Sequence, residues 1–80
     1  MAKVTLRLFA GAREIAGAGK ISYEANTVQG LLAQAQSDLG PEFTQILAIS
    51  RVWLNGDPVE NDSDVSNGDE VAVLPPVSGG

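Results

Sequence analysis

The sequence predicts a single small α+β domain: a mixed sheet of four to five strands with one main helix packed across one face. Three observations predict it. Short segments of strand-type alternation open the chain, a single well-formed amphipathic helix lies in the middle, and a continuous apolar run closes the ordered part. At 80 residues the chain has room for one domain. A chain of this size buries only roughly 60% of its unfolded surface, so few core positions are expendable.

Taken in order, Lys3 to Phe9 alternates, with Val4, Leu6 and Leu8 on one face and Lys3, Thr5 and Arg7 on the other. Phe9 breaks the alternation by falling on the polar side at the strand's end, where an aromatic covers the sheet or faces a partner. Ala12-Arg13-Glu14-Ile15-Ala16 contains good helix formers between Gly11 and Gly17, enough for one short turn of helix. Gly17-Ala18-Gly19 is a turn, and Lys20 to Glu24 alternates again as a second strand, expected to pair antiparallel with the first.

Asn26 or Thr27 caps the main helix. Val28, Leu31, Leu32, Ala35 and Leu39 form one buried stripe, Gln29 suits a capping box with Asn26, and Gly40-Pro41 is the stop signal. Gly30 inside the helix costs roughly 1 kcal/mol against alanine, which a close approach of helix to sheet would explain. Phe43, Ile46, Leu47 and Ile49 support another turn or two of helix. Val52-Trp53-Leu54 is a third strand running into the turn Asn55-Gly56-Asp57-Pro58, and Asn67-Gly68-Asp69 is a second strong turn. Val71-Ala72-Val73-Leu74 reads as a strand covered on both faces and central in the sheet, ended by Pro75. Strand, strand, helix, strand, strand is the ubiquitin-like β-grasp order. The expected division is a β-grasp domain over residues 1–74 and a flexible, extended C-terminal Gly-Gly tail over 75–80.

Charge and composition exclude several function classes. There is no cysteine and no histidine, hence no disulfide, thiol nucleophile, imidazole base or usual zinc site, and no metal is expected. The net charge is -5; beyond Arg51 stand six carboxylates (Asp57, Glu60, Asp62, Asp64, Asp69, Glu70) and no base. That asymmetry disfavours nucleic acid and argues for basic protein partners. The start lacks a signal-peptide run and no later stretch could span a membrane, so a soluble cytoplasmic protein is expected. Asp62-Ser63-Asp64 lacks the rest of a calcium loop and reads as a solvated turn.

What remains is Pro75-Pro76-Val77-Ser78-Gly79-Gly80. Two prolines favour an extended run of about 3.1 Å per residue, and two glycines without Cβ atoms suit a narrow tunnel. The activatable group on offer is the terminal carboxylate of Gly80, inert until adenylated and then open to a nucleophile.

Asn67-Gly68-Asp69-Glu70-Val71-Ala72 followed by Leu74-Pro75-Pro76-Val77-Ser78-Gly79-Gly80 resembles the sulfur-carrier small subunit of molybdopterin synthase. Phe9-Ala10 with Arg13-Glu14-Ile15 and Gly17, Thr27-Val28, and Asn55-Gly56 support the resemblance in the same order. It implies that Gly80 passes through a glycyl adenylate to a thiocarboxylate (1-thioglycine), and that Pro75, Pro76, Val77, Ser78 and Gly79 enter a partner's active site. There the sulfur goes to a cyclic pyranopterin. The implied partners are a ubiquitin-activating-type adenylating enzyme that uses ATP, a sulfur donor such as a cysteine desulfurase or rhodanese, and the large synthase subunit, two copies of each subunit assembling together. No cofactor would be bound by this chain, which would have no active site beyond its own thiocarboxylate. The implied interface residues are Phe9, Pro58 and Leu74, although Leu74 replaces a usual aromatic and Val65 a usual leucine. Carriers for thiamine or cysteine synthesis and a ubiquitin-like protein modifier are the competing readings.

Overall fold

A computed structural model describes residues 1–76. The element order is β1 (Ala2–Leu8), α1 (Ala10–Ala16), β2 (Lys20–Ala25), α2 (Val28–Leu39), α3 (Pro41–Ala48), β3 (Arg51–Leu54), β4 (Asp57–Pro58) and β5 (Glu70–Leu74). The strands form one sheet in the order β2-β1-β5-β3-β4. β1 pairs antiparallel with β2 and parallel with β5, while β3 pairs antiparallel with both β5 and β4. The expected mixed sheet and β-grasp order are present, and β5 lies at its centre.

The core follows from the alternation. Val4, Leu6 and Leu8 of β1, Tyr23 and Ala25 of β2, and Val71 and Val73 of β5 all point to the helix side. They meet Val28, Leu31, Leu32 and Ala35 of α2, Ala12 of α1 and Phe43 of α3, every one of them buried. Burial and the neighbouring Asp38 carboxylate push the Tyr23 phenol up to about 12.

α2 is capped by Thr27, whose Oγ1 accepts from the Gly30 N–H at 3.0 Å. The other first-turn donors are met from outside the helix: Val28 N–H donates to the Ser63 carbonyl at 2.9 Å and Gln29 N–H to that of Asn61 at 2.7 Å. Asn61 to Asp64 is therefore a strap across the start of α2. A Cβ on Gly30 would lie 3.3 Å from Thr27 Oγ1 and 3.9 Å from Ala25 Cβ, so the tight neighbour there is the helix's own cap, and β2 is at ordinary contact distance.

Three local readings change. α1 is seven residues long and includes Gly11, because the helix enters directly from β1 and needs no side chain where it crosses α3. A Cβ on Gly11 would sit 2.6 Å from Ile46 Cδ1. Asp57 and Pro58 pair with Leu54 and Trp53 as β4 instead of completing a loop. Asn55 (φ 50°) and Gly56 (φ 89°) both occupy the left-handed region, the two-residue hairpin geometry that an Asn-Gly pair favours.

The third change concerns the sheet's faces. Val71 to Leu74 is covered on one face only: Val71 and Val73 are fully buried, whereas Ala72 and Leu74 are half-buried on the side away from the helices. Among the described residues no helix is long and apolar enough to cross a membrane.

Candidate functional site

The open face of the sheet is built by the residues that alternate away from the core. Strand register fixes their arrangement. Pro58 lies opposite Trp53, Trp53 opposite Ala72, Ala72 opposite Arg7 and Arg7 opposite Lys20, making one row across five strands. On the same face, one pair further along, Leu74 lies opposite Arg51. Phe9 follows Leu8, whose partner is Val73, so it comes level with Leu74.

The three interface residues expected from sequence thus lie on this one face. Phe9 is half-buried at the end of β1, Leu74 half-buried at the end of β5, and Pro58 exposed in β4. Phe9 and Leu74 are neighbours; Pro58 reaches them only through Trp53. Trp53 and Ala72 were missed as members of this surface. The signal was present, since Trp53 stands between the inward Val52 and Leu54.

The guanidinium of Arg7 lies over the Phe9 ring, 5.2 Å from its centroid, and also pairs with Glu70 at 3.4 Å. Both groups are well exposed, so the pair fixes the ring's position more than it adds to stability. Lys3, Arg7, Lys20 and Arg51 all alternate onto this face, against Glu24 and Glu70. The acidic half of the sequence had suggested a surface for basic partners. Folding instead puts four of the five bases on the same face as the apolar residues, because β1, β2 and β3, which carry them, belong to one sheet whose outward positions they occupy.

The start of β5 is anchored by the Asn67-Gly68-Asp69 turn. Asn67 Oδ1 accepts from Lys3 N–H at 2.8 Å, and Gly68 N–H donates to the Lys3 carbonyl at 3.0 Å. Asp69 Oδ1 accepts from Asn55 Nδ2 at 3.0 Å and its Oδ2 from Ser66 N–H at 2.8 Å. Those two bonds, the side-chain one first, hold the Asp69 carboxyl below its ordinary value. At the other end β5 passes into Pro75, half-buried, and Pro76, exposed. Val77, Ser78, Gly79 and Gly80 lie outside the described residues.

Among the described residues no group of His, Cys, Asp and Glu could hold a metal ion. A groove of about 470 Å³ between α2, α3 and β3 is lined by Leu32, Gln36, Leu47, Ser50 and Val52, among others. The hydroxyl of Ser50 there is committed to the Ile46 carbonyl at 2.6 Å.

Solved structures of the same fold include SAMP1, a small archaeal modifier protein, from Haloferax volcanii: TM-score 0.86, 26% identity, 99% of this chain and 100% of that one covered. A putative molybdopterin converting factor subunit 1 from Pyrococcus furiosus superposes with TM-score 0.83 at 26% identity, covering 96% of this chain and all of the other. In Helicobacter pylori, a complex of subunits 1 and 2 of molybdopterin-converting factor contains a chain with TM-score 0.76 and 25% identity, with 98% and 99% covered. No curated protein matches the sequence. The model of the ThiS family matches residues 6–80, nearly the whole chain, and the protein therefore belongs to the ThiS family, with the ubiquitin-like β-grasp fold.

Proposed function

We propose that this protein is the sulfur carrier of molybdenum cofactor biosynthesis, with Gly80 as the residue that bears the sulfur. Family membership puts the chain in the class of ThiS-type sulfur carriers and small protein modifiers. Within that class, the observation that carries the reading is the placement of β5. It is hydrogen-bonded on both sides, by β1 and β3, and leads straight into Pro75-Pro76. A tail leaving such a strand departs from one held on both edges, beside the Phe9–Leu74 end of the open face. Docking of that face would therefore bring the end of β5 and Pro75-Pro76, from which the tail continues, against the partner.

The chemistry runs in two steps. The Gly80 carboxylate attacks the α-phosphorus of ATP on an adenylating enzyme, releasing pyrophosphate and leaving an acyl adenylate. In the second, the persulfide of a sulfur donor such as a cysteine desulfurase or rhodanese attacks the acyl carbon and displaces AMP, and a thiol reductant then cleaves the S–S bond of the resulting acyl disulfide, freeing the thiocarboxylate and leaving the donor in a disulfide. The large synthase subunit receives Phe9, Pro58, Trp53 and Leu74 on its surface and the tail in its active site, where sulfur passes to a cyclic pyranopterin. In the Helicobacter pylori complex, subunits 1 and 2 of molybdopterin-converting factor associate, which supports this choice of partner. Two small and two large subunits form the proposed assembly.

The likeness to the small archaeal modifier protein favours a second reading, in which the same adenylate is passed to a protein lysine. One experiment separates them. Incubation with the adenylating enzyme, ATP and a sulfur source, followed by intact-mass measurement, should show one oxygen replaced by sulfur at Gly80. The thiocarboxylate protein should then convert the pyranopterin when mixed with the large subunit. Absence of the mass change defeats the carrier reading, and Gly80-dependent lysine conjugates in cells without pyranopterin conversion favour the modifier.

A further inference from the structure

Among the described residues β2 is an edge strand, with β1 on one side and no strand on the other. The direction of its free backbone groups follows from the ladder. Leu8 N–H donates to the Gly19 carbonyl at 2.9 Å, and the antiparallel register then turns the amides of Ile21, Tyr23 and Ala25 toward β1. Those of Lys20, Ser22 and Glu24 face outward. Gln34 confirms the direction, since its Nε2 donates to the Glu24 carbonyl from that outer side.

We propose that this edge pairs with the same edge of a second copy, antiparallel and centred on Ser22, joining two sheets into one. In that register Ser22 faces its own counterpart, Lys20 faces the copy's Glu24, and Glu24 the copy's Lys20. The outward amides of all three become hydrogen-bonded pairs, and on the helix side Ile21 lies beside the copy's Tyr23. The interface is self-complementary, as a two-fold contact requires. Two-fold registers centred on Lys20 or on Glu24 would set like charges opposite each other, so the charges select one alignment. Edges guarded against pairing carry charge that repels a copy; opposite charges four residues apart on an exposed strand attract one. The Gln34 amide holds the Glu24 carbonyl in the single copy and is exchanged there for the N–H of the copy's Lys20. β2 is separated from β5 by β1, so the dimer leaves the Trp53–Leu74 patch and the tail free. The proposal stands independently of the sulfur-carrier reading.

One strand edge is a small contact, and the expected dissociation constant is roughly 0.1–1 mM. Sedimentation equilibrium over a concentration series, with amide NMR shifts, measures it on the full chain. Wild type should dimerise with shifts centred on residues 19–25 and weaken in high salt. Lys20→Glu or Glu24→Lys alone should weaken the dimer about tenfold or more. An equimolar mixture of those two variants should pair with each other, and the double exchange should restore self-association. Ser22→Pro, which removes an outward N–H, should abolish it while thermal unfolding confirms the fold. A protein that stays monomeric at millimolar concentration, or a dimer indifferent to these charge exchanges, overturns the proposal.

Discussion

Asn55 and Asp69 tie the β3–β4 hairpin to the start of β5: Asn55 Nδ2 donates to Asp69 Oδ1 at 3.0 Å, while Asn55 Oδ1 accepts from Glu70 N–H at 2.9 Å. Asn55 also occupies the left-handed region at φ 50°. Asn55→Ala therefore loses both bonds and strains the backbone, and should cost about 2 kcal/mol in urea denaturation. Asn55→Gly keeps the conformation and loses only the bonds, so it should cost about half as much. Equal losses in the two variants would remove the conformational part of this account.

The same carboxylate makes stability depend on pH in one direction. Asp69 is held below its ordinary value when folded, so its contribution is fully present above the unfolded carboxylate value near 4 and is lost as pH falls through the lower folded value. Unfolding curves from pH 6 downward should show wild type losing stability faster than Asp69→Asn on entering this acid range. Parallel pH profiles would show that the two hydrogen bonds carry no linkage.

Gly11 and Ile46 form the contact at which α1 crosses α3. Gly11→Ala places a methyl 2.6 Å from Ile46 Cδ1, and because that carbon is the tip of a side chain the loss should be modest, about 1 kcal/mol. Ile46→Val deletes the tip and by itself costs about 1 kcal/mol. The double variant should be more stable than the sum of the two, with a coupling of about 1 kcal/mol by thermal or chemical unfolding. Additive losses would mean that the helices separate instead of the side chain yielding.

If the open face docks on the large synthase subunit, Trp53 is its central anchor. Trp53→Ala should weaken binding by about 2 kcal/mol, roughly thirtyfold, measured by calorimetry, with stability changed by only about 1 kcal/mol. Phe9→Ala should act in the same sense. Binding should also weaken as salt rises, through Arg7, Lys20 and Arg51 around the patch. Unchanged affinity in Trp53→Ala would place the partner elsewhere.

Replacing Pro75 and Pro76 by glycine should slow sulfur transfer in a reconstituted synthase, because a looser tail loses more entropy on entering the partner. Adenylation of Gly80, read by pyrophosphate release, should be much less affected. One residue added after Gly80 should abolish both. Unaltered transfer in the glycine variant would leave the prolines without that role.

The sequence by itself determined the elements whose cause is local. The alternation of Val4, Leu6 and Leu8, the Thr27 cap with its apolar stripe, the Gly40-Pro41 stop and the Asn55-Gly56 turn each sit within a few residues of the structure they dictate. The sequence also carries the ThiS family, matched over residues 6–80, while the finer molybdopterin role read from the Asn67-to-Gly80 block is a proposal. Only the tertiary structure decided what depends on distant neighbours. α1 runs through Gly11 because Ile46, far along the chain, fills the space a side chain would need. Pro58 belongs to a strand because Trp53 is opposite it. Above all, an unbroken run such as Val71-Ala72-Val73-Leu74 has no alternation to say which face is covered. That was settled by all the helices packing on one side, leaving Ala72, Leu74, Trp53 and Phe9 on the other, a face they share with bases from three separate strands.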